Sequence, residues 1–81
     1  MADTYDIAVD FMDMTDDRRL WVRAEDARAG FVAEVGRYAV VGDDDADLKV
    51  ARIVEISSEG NLHLEVLPGP VDAHRDLLAR A

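Results

Sequence analysis

Four aspartates occupy five positions, Asp43, Asp44, Asp45 and Asp47, directly before a run dense in valine and isoleucine. Carboxylates at that density can coordinate a hard divalent cation, present a docking face to a basic partner, or keep a turn solvated. A calcium loop of the EF-hand type needs oxygen ligands at alternate positions, glycine at the sixth and glutamate at the twelfth. Counted from Asp43, the alternate positions Asp45 and Asp47 fit, but the sixth residue is Leu48 and the twelfth is Val54, with Glu55 one residue late. A helix should follow such a loop, whereas β-branched residues follow here. The calcium template fails. A solvated turn is the preferred reading, a contact surface for a basic partner the second, and a weak divalent site at Asp43, Asp44 and Asp45 the third.

A second acidic group comprises Asp10, Asp13, Asp16 and Asp17. If the two groups converge, they form one negative surface able to attract a basic protein or to imitate a phosphate backbone. Ordinary loop charge is the preferred alternative. Trp21 and Arg23 fall on the same side of a short alternating stretch, with Arg18 and Arg19 beside them in sequence and Arg37 further along. An aromatic residue among guanidinium groups can stack a nucleobase or meet a partner. Packing of Trp21 beneath a terminal helix is preferred, then partner contact, then nucleic acid. The candidate partner contacts are therefore Asp43, Asp44, Asp45, Asp47, Trp21 and Arg23.

Catalytic chemistry finds little support. Ser57 and Ser58 flank a turn glycine, and neither His63 nor His74 has an orienting partner nearby in sequence. Those two histidines also lack the spacing of a metal pair. There is no cysteine, so thiolate metal sites, thiol nucleophiles and disulfides are excluded. Gly36 and Gly42 match neither phosphate-binding nor dinucleotide-binding loops. No cofactor, no metal and no enzymatic activity is expected.

Composition sets the wider bounds. The chain has 81 residues, enough for a single domain, and carries 18 acidic against 9 basic side chains. A net charge of −9 repels nucleic acid and anionic membrane, yet hydrophobic residues make up 49% of the chain, well above what disorder requires. Lys49 is the only lysine. Codon bias in a GC-rich genome or adaptation to salt explains such a surface without any acidic-patch function. The opening "MADTYDIAVDF" has neither the positive start nor the apolar core of a signal peptide, and no run is long enough to span a bilayer. A cytoplasmic protein is expected.

Five alternating or β-branched stretches must position these groups. "TYDIAVDFMDM" places Tyr5, Ile7, Val9 and Phe11 on one side, and "LWVR" does the same with Leu20 and Val22. "AEDARAGFVAEVG" approximates a helical stripe, but Gly30 interrupts it, and a loop with one helical turn is preferred. "RYAVVG" is a strand closed by Gly42. "LKVARIVEI" is apolar on both sides, suiting a central strand or a dimer seam, with a bulge expected near Ala51 and Arg52. "SSEGN" is a hairpin turn around Gly60, and "NLHLEVL" directs Leu62, Leu64 and Val66 inward. After "LPGP", Gly69 and Pro70 are expected to cap and begin a terminal helix of about ten residues, a length marginal unless docked. The fold expected is mainly β with a C-terminal helix, a small five-stranded antiparallel SH3-like or OB-like barrel. Residues 1–69 form the barrel and 70–81 the helix.

The "LWVR" strand, the segment "VGRYAVVGDDDA" and the closing "LPG" resemble a group of short, uncharacterised actinobacterial proteins across residues 20–69. That resemblance implies a source and no activity. The function expected is a non-catalytic cytoplasmic protein-binding module acting through an acidic surface or a strand edge. The partner expected is another protein, basic or a second copy of the chain, with nucleic acid disfavoured and no membrane contact. The alternatives are an acidic decoy for a nucleic-acid-binding protein, or a small barrel binding nucleic acid or a small ligand near Trp21.

Overall fold

Alternation in the sequence becomes the two faces of one sheet. The computed structural model describes residues 5–42 and 48–79. Its strands are β1 (Ile7–Ala8), β2 (Arg19–Val22), β3 (Tyr38–Gly42), β4 (Lys49–Ile56) and β5 (Leu62–Val66), in the order β1-β3-β4-β5-β2, forming a half-barrel. Leu62, Leu64 and Val66, directed inward by the pattern, are buried on β5, together with Leu20 and Val22 from β2 and Ala51 and Ile53 from β4. Of the side shared by Tyr5, Ile7, Val9 and Phe11, Ile7 and Val9 are buried and the other two partly so. Ile7 and Val41, opposite each other on β1 and β3, are wholly buried with them. Gly60 takes φ 89°, the left-handed conformation the β4–β5 turn needs and glycine supplies without strain.

The sheet is mixed, not antiparallel throughout. β1 runs parallel to β3, pairing Ile7 with Val41 and Ala8 with Gly42, while the β3–β4, β4–β5 and β5–β2 pairs are antiparallel. Between β1 and β3 the chain crosses to the far edge of the sheet, makes β2, and returns through residues 24–36, so it enters β3 in the direction in which it left β1. That excursion plays the part a crossover helix plays elsewhere. The first strand is also much shorter than its alternation suggested. Beyond Val9 the chain turns into a 3-10 helix, Phe11–Asp13, whose N-cap Asp10 accepts from the Met12 amide at 2.9 Å.

Residues 24–36 are irregular after one 3-10 turn, Ala24–Asp26, as the interrupting glycine implied. Ala27, Phe31 and Ala33 still reach the core. Phe31 lies near two guanidinium groups, Arg37 at 5.0 Å and Arg28 at 5.9 Å from its ring centre. Arg37 also donates to the Val32 carbonyl at 2.8 Å.

β4 is the central strand, and its register shift falls between Ile53 and Glu55, not at Ala51 and Arg52. The shift lets Val54 slip out of sequence, so Ile53 stays opposite Leu64 and Ile56 stays opposite Leu62. Ala51 and Ile53 face the core, whereas Val50, equally buried, faces the other side opposite Val40. The terminal segment explains this second apolar patch. A 3-10 turn, Val71–His74, lies against β4, and α1 (Arg75–Ala79) lies against β3. Pro70, not Gly69, is the N-cap, and the first turn is 3-10. His74 Nε2 donates to the Pro68 carbonyl at 2.6 Å, folding the segment back on its own entry. Among the described residues no helix is long and apolar enough to cross a membrane.

Candidate functional site

The outer face of the sheet is roofed at one end by the terminal segment and open at the other. On the open end the register builds two cross-strand rows. One runs Arg19, Glu65, Arg52, Tyr38, with Arg52 and Glu65 paired at 3.6 Å. The other runs Trp21, His63, Glu55. Trp21 and His63 stack with ring centres 4.4 Å apart and planes within 5°, and His63 Nδ1 is 3.8 Å from Glu55 Oε1. Trp21 is 48% exposed and does not lie under the terminal helix, which sits against β3 and β4. The packing expectation for Trp21 is therefore overturned. Its indole finds an aromatic neighbour across the strand and leaves much of its surface in water.

Shallow, solvent-open depressions meet at this indole. One is bounded by Arg23, Glu25, Asp26 and Asn61, a second by Asp13, Thr15, Asp17, Arg19 and His63, and a third by Ala8, Val9, Asp10, Asp13 and Asp26. Five carboxylates, Asp10, Asp13, Asp17, Glu25 and Asp26, thus stand around Trp21 against the guanidinium groups of Arg19 and Arg23. Arg23 itself lies 3.8 Å from Glu25, both side chains largely in solvent. The Thr15 hydroxyl donates to the Asp17 carboxylate and, with positive potential from Arg19 and His63, holds Asp17 below the ordinary aspartate range. Asp17 therefore stays charged to lower pH than a free aspartate.

The local fold places these groups for structural reasons. Asp10 caps one 3-10 helix, and Asp26 caps another by accepting from the Arg23 amide at 3.2 Å. Thr15 closes the turn into β2, its amide donating to the Arg19 carbonyl at 2.8 Å. Short caps and tight turns crowd carboxylates around the strand that carries Trp21.

Of the sequence candidates, Trp21 and Arg23 come together at one depression. Asp43, Asp44, Asp45 and Asp47 lie outside the described residues. Arg37, offered as part of a basic patch, is engaged with Phe31 and Val32. His63, Glu25 and Asp26 join the site although the sequence did not single them out for it. The outward direction of Trp21 and His63 was readable strand by strand, but their pairing depends on a register that no motif announces. Among the described residues, no three His, Asp or Glu side chains are grouped to hold a metal ion. No protein-family model, curated protein or solved structure matches the chain.

Proposed function

We propose that the protein is a non-catalytic, cytoplasmic binding module that takes a basic segment of another protein at Trp21. One observation carries this reading: a half-exposed indole, backed by His63, sits among five carboxylates. An arginine or lysine head over such a ring gains cation–π attraction, about 0.5–1 kcal/mol at an exposed site, and the carboxylates add complementary potential. The same negative rim disfavours a phosphate backbone. We take the half-barrel to be an SH3-like or OB-like variant whose first strand joins in parallel; the functional reading does not depend on that assignment.

Trp21 is the only tryptophan, so its fluorescence reports on this site alone. Titration with a short arginine-bearing peptide is expected to change the emission, with affinity falling as salt rises. An oligothymidine of similar length is expected to leave it unchanged. An equal response to the oligonucleotide, or no response to millimolar peptide, overturns the proposal.

A further inference from the structure

We infer that the basic partner binds as an added β-strand, pairing with the open main chain of Trp21 on the edge of β2. This rests on the preceding reading that the partner is basic and meets Trp21.

The ladder shows which main-chain groups are open. Val66 donates to the Arg18 carbonyl at 2.7 Å, so in the antiparallel register residues 18, 20 and 22 direct their peptide groups toward β5. Arg19, Trp21 and Arg23 must then direct theirs to the free side. Two of these three are already occupied. The Arg19 carbonyl accepts from the Thr15 amide at 2.8 Å and its amide donates to the Thr15 hydroxyl at 3.2 Å. The Arg23 amide donates to Asp26 at 3.2 Å. For Trp21, which stands between them, neither peptide group has an outward partner among the described residues.

The geometry of the side chain agrees. His63 is on β5, so it covers the ring face of Trp21 that turns toward the sheet. The opposite ring face turns toward the open edge. A residue paired opposite Trp21 in an added antiparallel strand projects its side chain on the same face of the sheet and continues the row Trp21, His63, Glu55. Arginine there would stack on the uncovered indole face within reach of the carboxylate rim. Main-chain pairing supplies affinity in this mode and the side chain supplies selection. The rim also argues for the occupant: a second copy of this chain would bring its own five carboxylates against these, whereas a cationic strand is complementary.

The test uses the intact, nitrogen-15-labelled protein and the probe acetyl-Thr-Val-Arg-Val-Thr-amide, with two relatives, one carrying N-methylarginine and one carrying glutamate in place of arginine. Saturating probe is expected to slow hydrogen exchange of the Trp21 amide about tenfold or more. N-methylation removes the amide that would donate to the Trp21 carbonyl, and affinity is expected to fall about tenfold. The glutamate peptide is expected not to bind. If the arginine probe changes Trp21 fluorescence but leaves its amide exchange unaltered and tolerates N-methylation, strand addition is wrong while the basic-partner reading stands. If the probe produces no fluorescence change, or the glutamate peptide binds equally, that underlying reading falls as well.

Discussion

The half-barrel has two edge strands, and the protein treats them in opposite ways. Along β1 the free side is sealed. The Asp6 carboxylate accepts from Arg28 Nε at 2.8 Å and from the Val40 amide at 3.1 Å. The main chain of Asp6 bonds to Val40 on one side and to Arg28 on the other, and Ile7 bridges to Ala27. A single residue thereby ties the first strand, the third strand and the 24–36 loop together. Along β2, Thr15 and Asp26 cap the peptide groups on either side, and Trp21 is left between them. Unpaired edges invite unwanted association, and proteins normally blunt them. One edge is closed by a partly exposed ion-pair lock and the other is narrowed to a single residue under an aromatic ring; on the reading proposed above, β1 holds the fold and β2 meets the partner.

Mutations should separate the two edges, and the largest effect belongs to β1. Ile7 is wholly buried, so Ile7→Ala is expected to cost about 3 kcal/mol in urea unfolding. That is a large share of the roughly 4–12 kcal/mol expected for a domain of this length. Asp6→Ala is next, at about 2 kcal/mol, because it strands the Val40 amide and removes a charge-assisted bond to Arg28. The estimate is kept low because the Arg28 side chain is 46% exposed and its ion pair is screened. Asp6→Asn, which keeps one acceptor, should recover about half of it. Trp21→Ala should cost about 1 kcal/mol or less, the value of its stack on His63, while abolishing peptide binding. A Trp21→Ala loss exceeding that of Asp6→Ala would break the comparison, since β2 would then carry the fold.

How much of this was legible follows from what each signal depends on. Burial parity was readable because it is local: Leu20, Val22, Leu62, Leu64 and Val66 point inward as the alternation required. The loop at 24–36 and the Gly60 turn were readable through glycine. The parallel pairing of β1 was not, because "TYDIAVDFMDM" specifies a face but no direction, and direction is set by the excursion through β2. Asp6 looked like one more solvated aspartate on an outer face, and its two partners, Arg28 and Val40, lie 22 and 34 residues away. Arg18 adopts φ 65°, a left-handed conformation that its residue type gives no reason to expect. The same limit applies to the site. The sequence drew attention first to the densest acidic run and then to a second group that includes Asp10, Asp13 and Asp17. Neither their meeting with Trp21 nor the addition of Glu25 and Asp26 was readable, because both depend on folding.

The finest test of the division concerns Thr15, which closes the β2 edge on one side of Trp21. Its hydroxyl donates to Asp17 and accepts from the Arg19 amide. Thr15→Val removes both bonds but leaves the main-chain bond from residue 15 to the Arg19 carbonyl, so the turn should persist. Asp17 should then titrate closer to an ordinary aspartate, because the hydroxyl is the main cause of its depression. The sign follows from linkage. A carboxyl depressed on folding stabilises the folded state above its unfolded pKa, and that contribution is lost as pH falls through the folded value. Below neutrality the wild-type protein should therefore lose this contribution in the acid range where Asp17 protonates, and the variant should show a flatter stability profile there. The effect should be small, since Asp17 is fully exposed, and carbon-13 titration of its carboxyl is the measurement that resolves it. The variant also frees the Arg19 amide beside the Trp21 peptide groups. If β2 is the receiving edge, the arginine probe should bind Thr15→Val about as well as wild type, since residue 15 stays bonded to the Arg19 carbonyl and the Trp21 peptide groups are untouched. Weaker binding would mean that Thr15 holds the edge in its receptive shape and is not merely a stopper at its end.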